Sequence, residues 1–312
     1  MAVFLSTLSQ IAFLLLLIAV GYLVAKLGVV DSSATKLLSS LENNIFIPAL
    51  VLGTFMQNFT LDSIGTSGQF LLCGLVVAVI SIPLAILGAR CCSKDPYIRK
   101  IYTYGLAFSN FGFMGNAVVK ALFPDVFMHY LIFVLPLWFF IYLWGVPALL
   151  IPAGEGKRTL KKRLKPLLNP MFTAVILGAV LGIVNLPIPG FVQSAVTTLG
   201  DCMSPIAMLL TGMTIAKIKL KPVLTNISIY AVSALRLLVL PVLAILAIKW
   251  IPLSDALALC TVCALAMPLG LNTIVVPSAY GKDTSVAAGM ALVSHVLSGI
   301  TIPIIFWLFQ AI

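Results

Sequence analysis

Charged residues are scarce in this sequence. Charged residues make up 9% of its 312 residues, hydrophobic residues make up 61%, and the mean hydropathy is +1.16. Soluble globular domains carry about 25% charged residues. A soluble core of this size would also need a polar exterior, and no contiguous third of the chain supplies one. The composition therefore excludes a soluble domain and indicates a polytopic membrane protein built as one integral unit.

Residue types that carry catalysis and metal binding are also scarce. The chain has 2 histidines and 6 scattered cysteines. Cys260 and Cys263 have the spacing of a metal or redox pair, but without a second pair we interpret them as packing residues. The sequence contains no Gly-x-Ser-x-Gly motif, no His-Glu-x-x-His motif and no phosphate-binding P-loop. These absences argue against an enzyme, a primary pump, a cofactor and a resident metal.

Long apolar runs are abundant instead. Windows of about 20 apolar residues, the length that crosses a bilayer as a helix, divide the chain at charged or turn-rich breaks. They predict an all-α integral membrane protein with ten transmembrane helices, at residues 8–27, 36–57, 67–90, 99–122, 128–150, 168–185, 191–215, 223–249, 255–279 and 285–310.

The basic residues predict an orientation for these helices. Sixteen of the 19 Lys and Arg residues fall in or beside connections from an odd-numbered to an even-numbered span, namely Lys26, Lys36, Arg90, Lys94, Arg99, Lys100, Lys157, Arg158, Lys161, Lys162, Arg163, Lys165, Lys217, Lys219, Lys221 and Lys282. Positive residues mark the cytoplasmic side. We therefore expect a multi-pass protein of the cell (inner or plasma) membrane with both termini on the non-cytoplasmic side. The net charge of +10 is then explained without nucleic acid.

The two halves of the chain resemble each other when they are aligned with a shift of 157 residues. Pro48 falls on Pro205 at this shift, and Phe111 falls on Pro268. Five spans per half is an odd number, which forces the second copy to be inverted relative to the first. We expect a first five-helix repeat at residues 1–153, a basic cytoplasmic loop at 154–166 and an inverted repeat at 167–312.

The fourth and ninth spans carry glycine, proline and amides in their centres, in "SNFGFMGN" and "AMPLGLNT". Lipid tails cannot form hydrogen bonds with the backbone N–H and C=O groups that a helix break leaves unpaired. Such breaks therefore need a protein partner or a water-filled cavity. Interrupted helices at matching places of inverted repeats point to a midplane substrate site. The alternative is ordinary helix packing, with an asparagine bridging two helices. The candidate substrate-binding residues are Asn110, Gly112, Gly115, Asn116, Pro268, Gly270, Asn272 and Thr273, with unwinding expected around 110–116 and 268–273.

Three stretches, "SNFGFMGNAVVKALFP", "AMPLGLNTIVVPSAYGKD" and "AAGMALVSHVLSGITIPIIFWL", resemble the auxin efflux carrier family, in particular its short-loop bacterial-type members described as malate or malonate permeases. The resemblance implies two inverted five-helix repeats whose broken helices 4 and 9 cross at the substrate site. It also implies a scaffold of spans one, two, six and seven, a transport domain that moves as an elevator, and a homodimer.

By position, the resemblance makes Asn110 the substrate amide of the fourth span and Pro268 the crossing proline of the ninth. This chain lacks the proline that generally follows in the fourth-span motif, since Gly115 and Asn116 are followed by Ala117. We therefore expect the fourth break to depend on Gly112, Gly115 and the two asparagines. The long cytosolic loop of the plant carriers is absent.

Among the ionisable residues inside the predicted spans we single out four as candidates for coupling: Glu42, Asp201, Arg236 and His295. Each costs at least about 2.5 kcal/mol if left charged facing lipid. A functional interpretation makes one carboxylate the proton-coupling group and lets Arg236 attract an anionic substrate. The alternative is a structural ion pair between Arg236 and Glu42 or Asp201. His295 either titrates near neutral pH or bridges two helices as a donor.

Together these features predict a secondary active transporter of small organic anions, such as mono- or dicarboxylates, with elevator-type alternating access. Protons are the preferred coupling ion. The alternatives are a sodium-coupled symporter of the bile-acid type and an anion channel-like facilitator. The expected partners are the anion, a proton or sodium ion, the lipid bilayer and a second copy of the chain.

Overall fold

The computed structural model describes residues 2–31, 33–151, 168–217 and 225–311. These ranges are helical, and their one β-type pairing is an isolated bridge. The basic loop predicted at 154–166 lies outside the described residues. Within them we number the helices α1 (Ala2–Lys26), α2 (Ala34–Asn58), α3 (Leu61–Cys92), α4 (Pro96–Ala107), α5 (Phe111–Leu122), α6 (Pro124–Leu150), α7 (Pro170–Val184), α8 (Gly190–Ile215), α9 (Ile227–Ile248), α10 (Asp255–Ala266), α11 (Asn272–Ala279) and α12 (Ser285–Ala311).

Every predicted span coincides with one of these helices or with a consecutive pair. Seven helices in the described ranges are long and apolar enough to cross a membrane: α1, α2, α3, α6, α8, α9 and α12. Three shorter ones, α5, α7 and α10, are apolar as well. The outer faces of the long helices carry exposed leucines and isoleucines, such as Leu72 and Ile80 on α3, which suits contact with lipid tails. The chain is therefore a multi-pass membrane protein.

Wide, π-helical turns interrupt several helices. One spans Glu42–Phe46 inside α2, and another spans Leu235–Val239 inside α9. These two turns hold Glu42 and Arg236, both of which are fully or almost fully buried. Such π-turns often mark functional sites because the extra residue turns a side chain away from the regular helix face.

Glycines allow two helix pairs to touch backbone to backbone. A Cβ added at Gly212 would lie 1.9 Å from the backbone oxygen of Ile18, so α8 and α1 are in direct contact. A Cβ at Gly178 would lie 2.9 Å from the backbone oxygen of Leu52, so α7 and α2 are equally close. Lipid tails are as apolar as the helices, so tight van der Waals packing of this kind drives association.

The fourth and ninth predicted spans are each broken, as expected, but the fourth breaks earlier than expected. Helix α4 ends at Ala107 and α5 begins at Phe111, so the break is 108–110. Residues Phe111–Gly115 form a π-turn, and Asn116 continues the helix. Of the unwinding expected around 110–116, Asn110 lies in the break, whereas the expectation was wrong for the residues from Phe111 onward, which are helical. The ninth break, at 267–271, lies close to the expected 268–273.

Candidate substrate site at the helix crossing

The two breaks meet and pair with each other. Ser109 and Leu269 form an antiparallel bridge. The backbone N–H of Asn110 donates to the carbonyl oxygen of Pro268 at 2.7 Å. Two short extended segments from opposite halves of the chain therefore cross, and each satisfies backbone groups that the other has lost from its helix.

Local sequence explains the ninth break. Proline has no N–H and disfavours helical angles in the residue before it, and Met267, which precedes Pro268, is extended with φ −70° and ψ 149°. Gly270 permits the close approach of the other strand, because an added Cβ would lie 3.0 Å from the carbonyl oxygen of Phe108. The Thr273 hydroxyl then donates to the Gly270 carbonyl at 2.9 Å.

Side chains satisfy further backbone groups of the crossing. The Ser109 hydroxyl donates to the carbonyl oxygen of Ala264 at 2.7 Å. The backbone N–H of Leu269 donates to the Ser294 hydroxyl oxygen at 3.2 Å. The crossing is thus held by α10 and α12 as well as by its own two strands.

A small cavity of about 20 Å³ lies at the crossing, large enough for about one water molecule. Four of the eight predicted substrate-binding residues line it: Asn110, Gly112, Gly270 and Asn272. Helices α5 and α11 begin here, and the first N–H groups of a helix have no acceptor within the helix. The cavity therefore combines amide side chains with the positive ends of two half-helices.

Asn110 is held by a histidine from α12. Its Nδ2 lies 2.9 Å from Nε2 of His295, and Nδ1 of His295 lies 2.7 Å from the carbonyl oxygen of Ala291. A carbonyl only accepts, so Nδ1 carries the ring proton and Nε2 accepts from Asn110. Both side chains are buried. His295 therefore fixes the orientation of the Asn110 amide, a link between two candidate residues that sequence reasoning did not make.

The other four predicted residues lie beside the cavity or away from it. Pro268 contributes its carbonyl to the crossing, and Thr273 is turned to Gly270. Gly115 is small because a Cβ there would lie 2.2 Å from the Tyr130 hydroxyl oxygen. Asn116 lines a separate cavity of about 10 Å³, and its Oδ1 has no hydrogen-bond partner among the described residues.

Arg236 binds backbone carbonyls and forms no ion pair with Glu42 or Asp201. Its Nη1 donates to Leu106 at 2.9 Å, its Nη2 to Ala264 at 3.0 Å and its Nε to Met267 at 3.2 Å. The expectation of a structural ion pair was therefore wrong. Arg236 also does not line the crossing cavity, so the expectation that it attracts the substrate directly finds no support in this geometry.

The two carboxylates lie in opposite environments. Glu42 is fully buried, and neither of its oxygens has a hydrogen-bond partner among the residues that the structure describes. The side chain of Asp201 is 58% exposed and pairs with Lys120 at 2.6 Å. This pair lies in a polar cleft of about 970 Å³ between α2, α3, α5, α6 and α8. Asp201 thus faces the cleft, which removes the cost of burying its charge.

Comparison with known families settles the resemblance. The sequence model of one family, described as membrane transport protein, matches residues 6–164 and 157–306, which is nearly the whole chain. The chain therefore belongs to the auxin efflux carrier family of membrane transport proteins. No curated protein matches it. The family is one of transporters, not of enzymes.

Sequence reasoning missed two aromatic residues in this auxin efflux carrier family member. The Tyr104 hydroxyl accepts from Nδ2 of Asn272 at 2.8 Å. Trp138 lines the same cavity, and its ring fills the space where a Cβ of Gly112 would be, at 2.4 Å. Their position in the sequence could have indicated them. Tyr and Trp in membrane proteins concentrate at the membrane interfaces, whereas these two lie inside predicted spans. Gly112 is therefore needed for packing against Trp138.

Proposed function

We propose that this protein is a secondary carrier of small organic anions, such as mono- or dicarboxylates, with its substrate site at the helix crossing. The observation that carries the proposal is the pairing of the two breaks, in which Asn110 bonds to Pro268 from the opposite half of the chain. This is the arrangement that broken-helix carriers use at the bilayer midplane.

The chemistry of the cavity favours an anion. None of its lining residues is acidic, and several have polar hydrogens to donate: Tyr104, Ser109, Asn110, Trp138 and Asn272. The N-termini of α5 and α11 add backbone N–H groups and partial positive charge. A carboxylate substrate would thus find hydrogen-bond donors and two positive helix ends at the cavity, and no acidic side chain in its lining.

The size of the cavity favours a carrier over a channel. At about 20 Å³ it holds no dicarboxylate and forms no continuous pore. Substrate binding therefore requires the side chains at the crossing to separate, and the bonds of Asn110 to His295 and of Asn272 to Tyr104 are the ones that would open. A site that must open for each substrate fits alternating access.

The helix contacts support inverted repeats and an elevator. Under the shift of 157 residues, the first and second spans correspond to the sixth and seventh. Helix α1 then corresponds to α7, and α2 corresponds to α8. The close pair α1–α8 therefore corresponds to the close pair α2–α7, as expected if the two halves are repeats. Helices α1, α2, α7 and α8 would form the scaffold, and the remaining helices would move past it as the transport domain.

Glu42 supports proton coupling. Burying a carboxylate without a hydrogen-bond partner is costly when it is charged, so the protonated form fits the observed setting. Glu42→Gln keeps the shape but carries no exchangeable charge. The variant should lose accumulation driven by a proton gradient and keep substrate exchange. Asp201→Asn, which changes an exposed cleft residue, is the matched control. If Glu42→Gln accumulates substrate as the parent does, Glu42 is not the coupling group.

Transport by purified protein in proteoliposomes tests the proposal. We expect saturable uptake of radiolabelled malate or malonate and counterflow when the vesicles are preloaded with unlabelled anion. Asn110→Ala should abolish most of this uptake, whereas Asn58→Ala, an exposed amide bonded to its own helix, should leave it intact. Single-channel currents would contradict a carrier. Absence of uptake for a panel of mono- and dicarboxylates would contradict the substrate class.

The same proposal includes an orientation with both termini outside. Single cysteines on a cysteine-free background test it by labelling from each side of the membrane. Asp62→Cys, in the first turn of α3, and Pro187→Cys, in the connection between α7 and α8, should react from outside. Lys94→Cys, between α3 and α4, should react only from the cytoplasm. Reversed reactivity would overturn the orientation and leave the crossing unaffected.

A further inference from the structure

We infer that Arg236 is a built-in cation of the helix crossing, occupying carbonyl groups that would otherwise be free to hold a coupling sodium ion. This inference deepens the proposed function, on which it rests, because it assigns the crossing to sodium-independent anion carriers. It also gives Arg236 a positioning role, since the residue holds both broken helices at once.

The guanidinium binds the carboxyl ends of both half-helices. Leu106 belongs to the last turn of α4, Ala264 to the last turn of α10, and Met267 caps α10. Arg236 donates one hydrogen bond to each of their carbonyls, from Nη1, Nη2 and Nε respectively, and is 1% exposed. The rigid fork of an arginine can reach all three at once, which a lysine ammonium on a single flexible stem does less well.

The charge of Arg236 is balanced by helix ends instead of by a carboxylate. Among the described residues, the one ion pair joins Lys120 to Asp201, and no acid pairs with Arg236. The carboxyl end of a helix carries about −0.5 elementary charge, so two such ends sum to about −1. A buried cation would be costly alone, but here the two half-helix ends that meet at the crossing neutralise it.

These carbonyls are the groups that hold a cation in broken-helix carriers. Half-helix carboxyl ends and unwound carbonyls coordinate the coupling ion there. In this protein the Leu106, Ala264 and Met267 carbonyls already accept hydrogen bonds from a group that stays protonated in proteins. The Ala264 carbonyl also accepts from Ser109, which lines the crossing cavity. The cation of the crossing is therefore part of the chain, and no sodium ion is needed to assemble the site.

The first experiment compares purified parent protein in sodium chloride and in N-methyl-D-glucamine chloride at equal ionic strength. We expect the same melting temperature in both salts and no saturable binding of ²²Na⁺. Binding to the folded state must stabilise it, so a saturable rise of melting temperature with sodium would overturn the inference.

The second experiment removes the guanidinium group of Arg236 by mutation and tests whether free guanidinium ion added to the solution can replace it. Arg236→Ala should melt several degrees below the parent, and millimolar guanidinium chloride should raise its melting temperature saturably. The parent and Arg90→Ala, which removes an exposed arginine at the end of α3, should show no such rise. A folded Arg236→Ala variant without rescue would overturn the inference. Should this variant not fold, the sodium response of the parent decides the matter alone.

The failure of the proposed function would be seen separately. Both melting experiments contain no transport substrate, so they test the cation at the crossing directly. Uptake of malate or malonate that requires external sodium would overturn the inference while supporting a carrier. Absence of all anion uptake would remove the proposed function and leave the melting results to stand on their own.

Discussion

Asn110 and Asn272 are the two amides that reach the crossing cavity, and each is held by a partner from another helix. His295 of α12 accepts from Asn110, and Tyr104 of α4 accepts from Asn272. Both amides therefore have a fixed orientation before substrate arrives, which reduces the ordering cost of binding. The same bonds must open or share a donor when a carboxylate enters.

Removing these amides should weaken anion binding. A hydrogen bond to a charged group contributes about 1.5–3 kcal/mol, so Asn110→Ala and Asn272→Ala should each reduce malate affinity by about ten- to a hundredfold. The double variant should be non-additive because the two residues share one ligand. Isothermal titration of the purified variants measures this, with Asn58→Ala as the control.

Stability must be measured beside affinity for one of these variants. Asn110→Ala leaves the buried Nε2 of His295 without its donor, which costs about 1–3 kcal/mol of unfolding free energy. Its melting temperature should therefore fall more than that of Asn58→Ala, and binding should be measured well below it. If both Asn110→Ala and Asn272→Ala bind malate like the parent, the amides serve helix packing and the site lies elsewhere.

At the scale of helices, the breaks in α4–α5 and α10–α11 have different local causes. Pro268 removes a donor and holds Met267 extended, so the ninth break is encoded locally. The fourth break at 108–110 contains no proline, and it is paired with the extended segment that contains Pro268. One break thus pairs with the other, although they lie in opposite halves of the chain.

The close helix contacts predict that alanine substitution lowers the melting temperature at one glycine and not at another. Gly212→Ala places a methyl group 1.9 Å from the backbone oxygen of Ile18, which must push α1 and α8 apart. Overpacking usually costs about 1–3 kcal/mol and sometimes more, so this variant should lose several degrees of melting temperature. The control is Gly68→Ala in α3, where an added Cβ meets nothing within 4 Å. Equal melting temperatures for the two variants would contradict the α1–α8 contact.

At the scale of the whole molecule, the polar cleft separates the proposed scaffold from the proposed transport domain. Lys120 of α5 and Asp201 of α8 face each other across it at 2.6 Å, with 43% and 58% of their side chains exposed. An exposed ion pair contributes only about 0–1 kcal/mol, so it can break in each transport cycle. The pair is therefore suited to report the relative position of the two parts.

Linking the two parts should stop an elevator. Lys120→Cys and Asp201→Cys, on a background without the native cysteines, can be joined by a short bifunctional thiol reagent. The linked protein should lose malate uptake, and reducing a cleavable reagent should restore it. The same reagent on either single variant is the control. Undiminished uptake by fully linked protein would show that these helices do not move apart during transport.

The sequence alone determined the helices, the membrane class, the family and the approximate places of both breaks. Apolar runs and Pro268 are local signals, so they need no knowledge of the fold. Only the tertiary structure decided which side chains meet: His295 with Asn110, Tyr104 with Asn272, and Arg236 with carbonyls of α4 and α10. These partners are separated by at least 28 residues. From the sequence we expected Arg236 either to attract an anionic substrate or to pair with Glu42 or Asp201. Two helix ends brought together by folding supplied its negative partner instead.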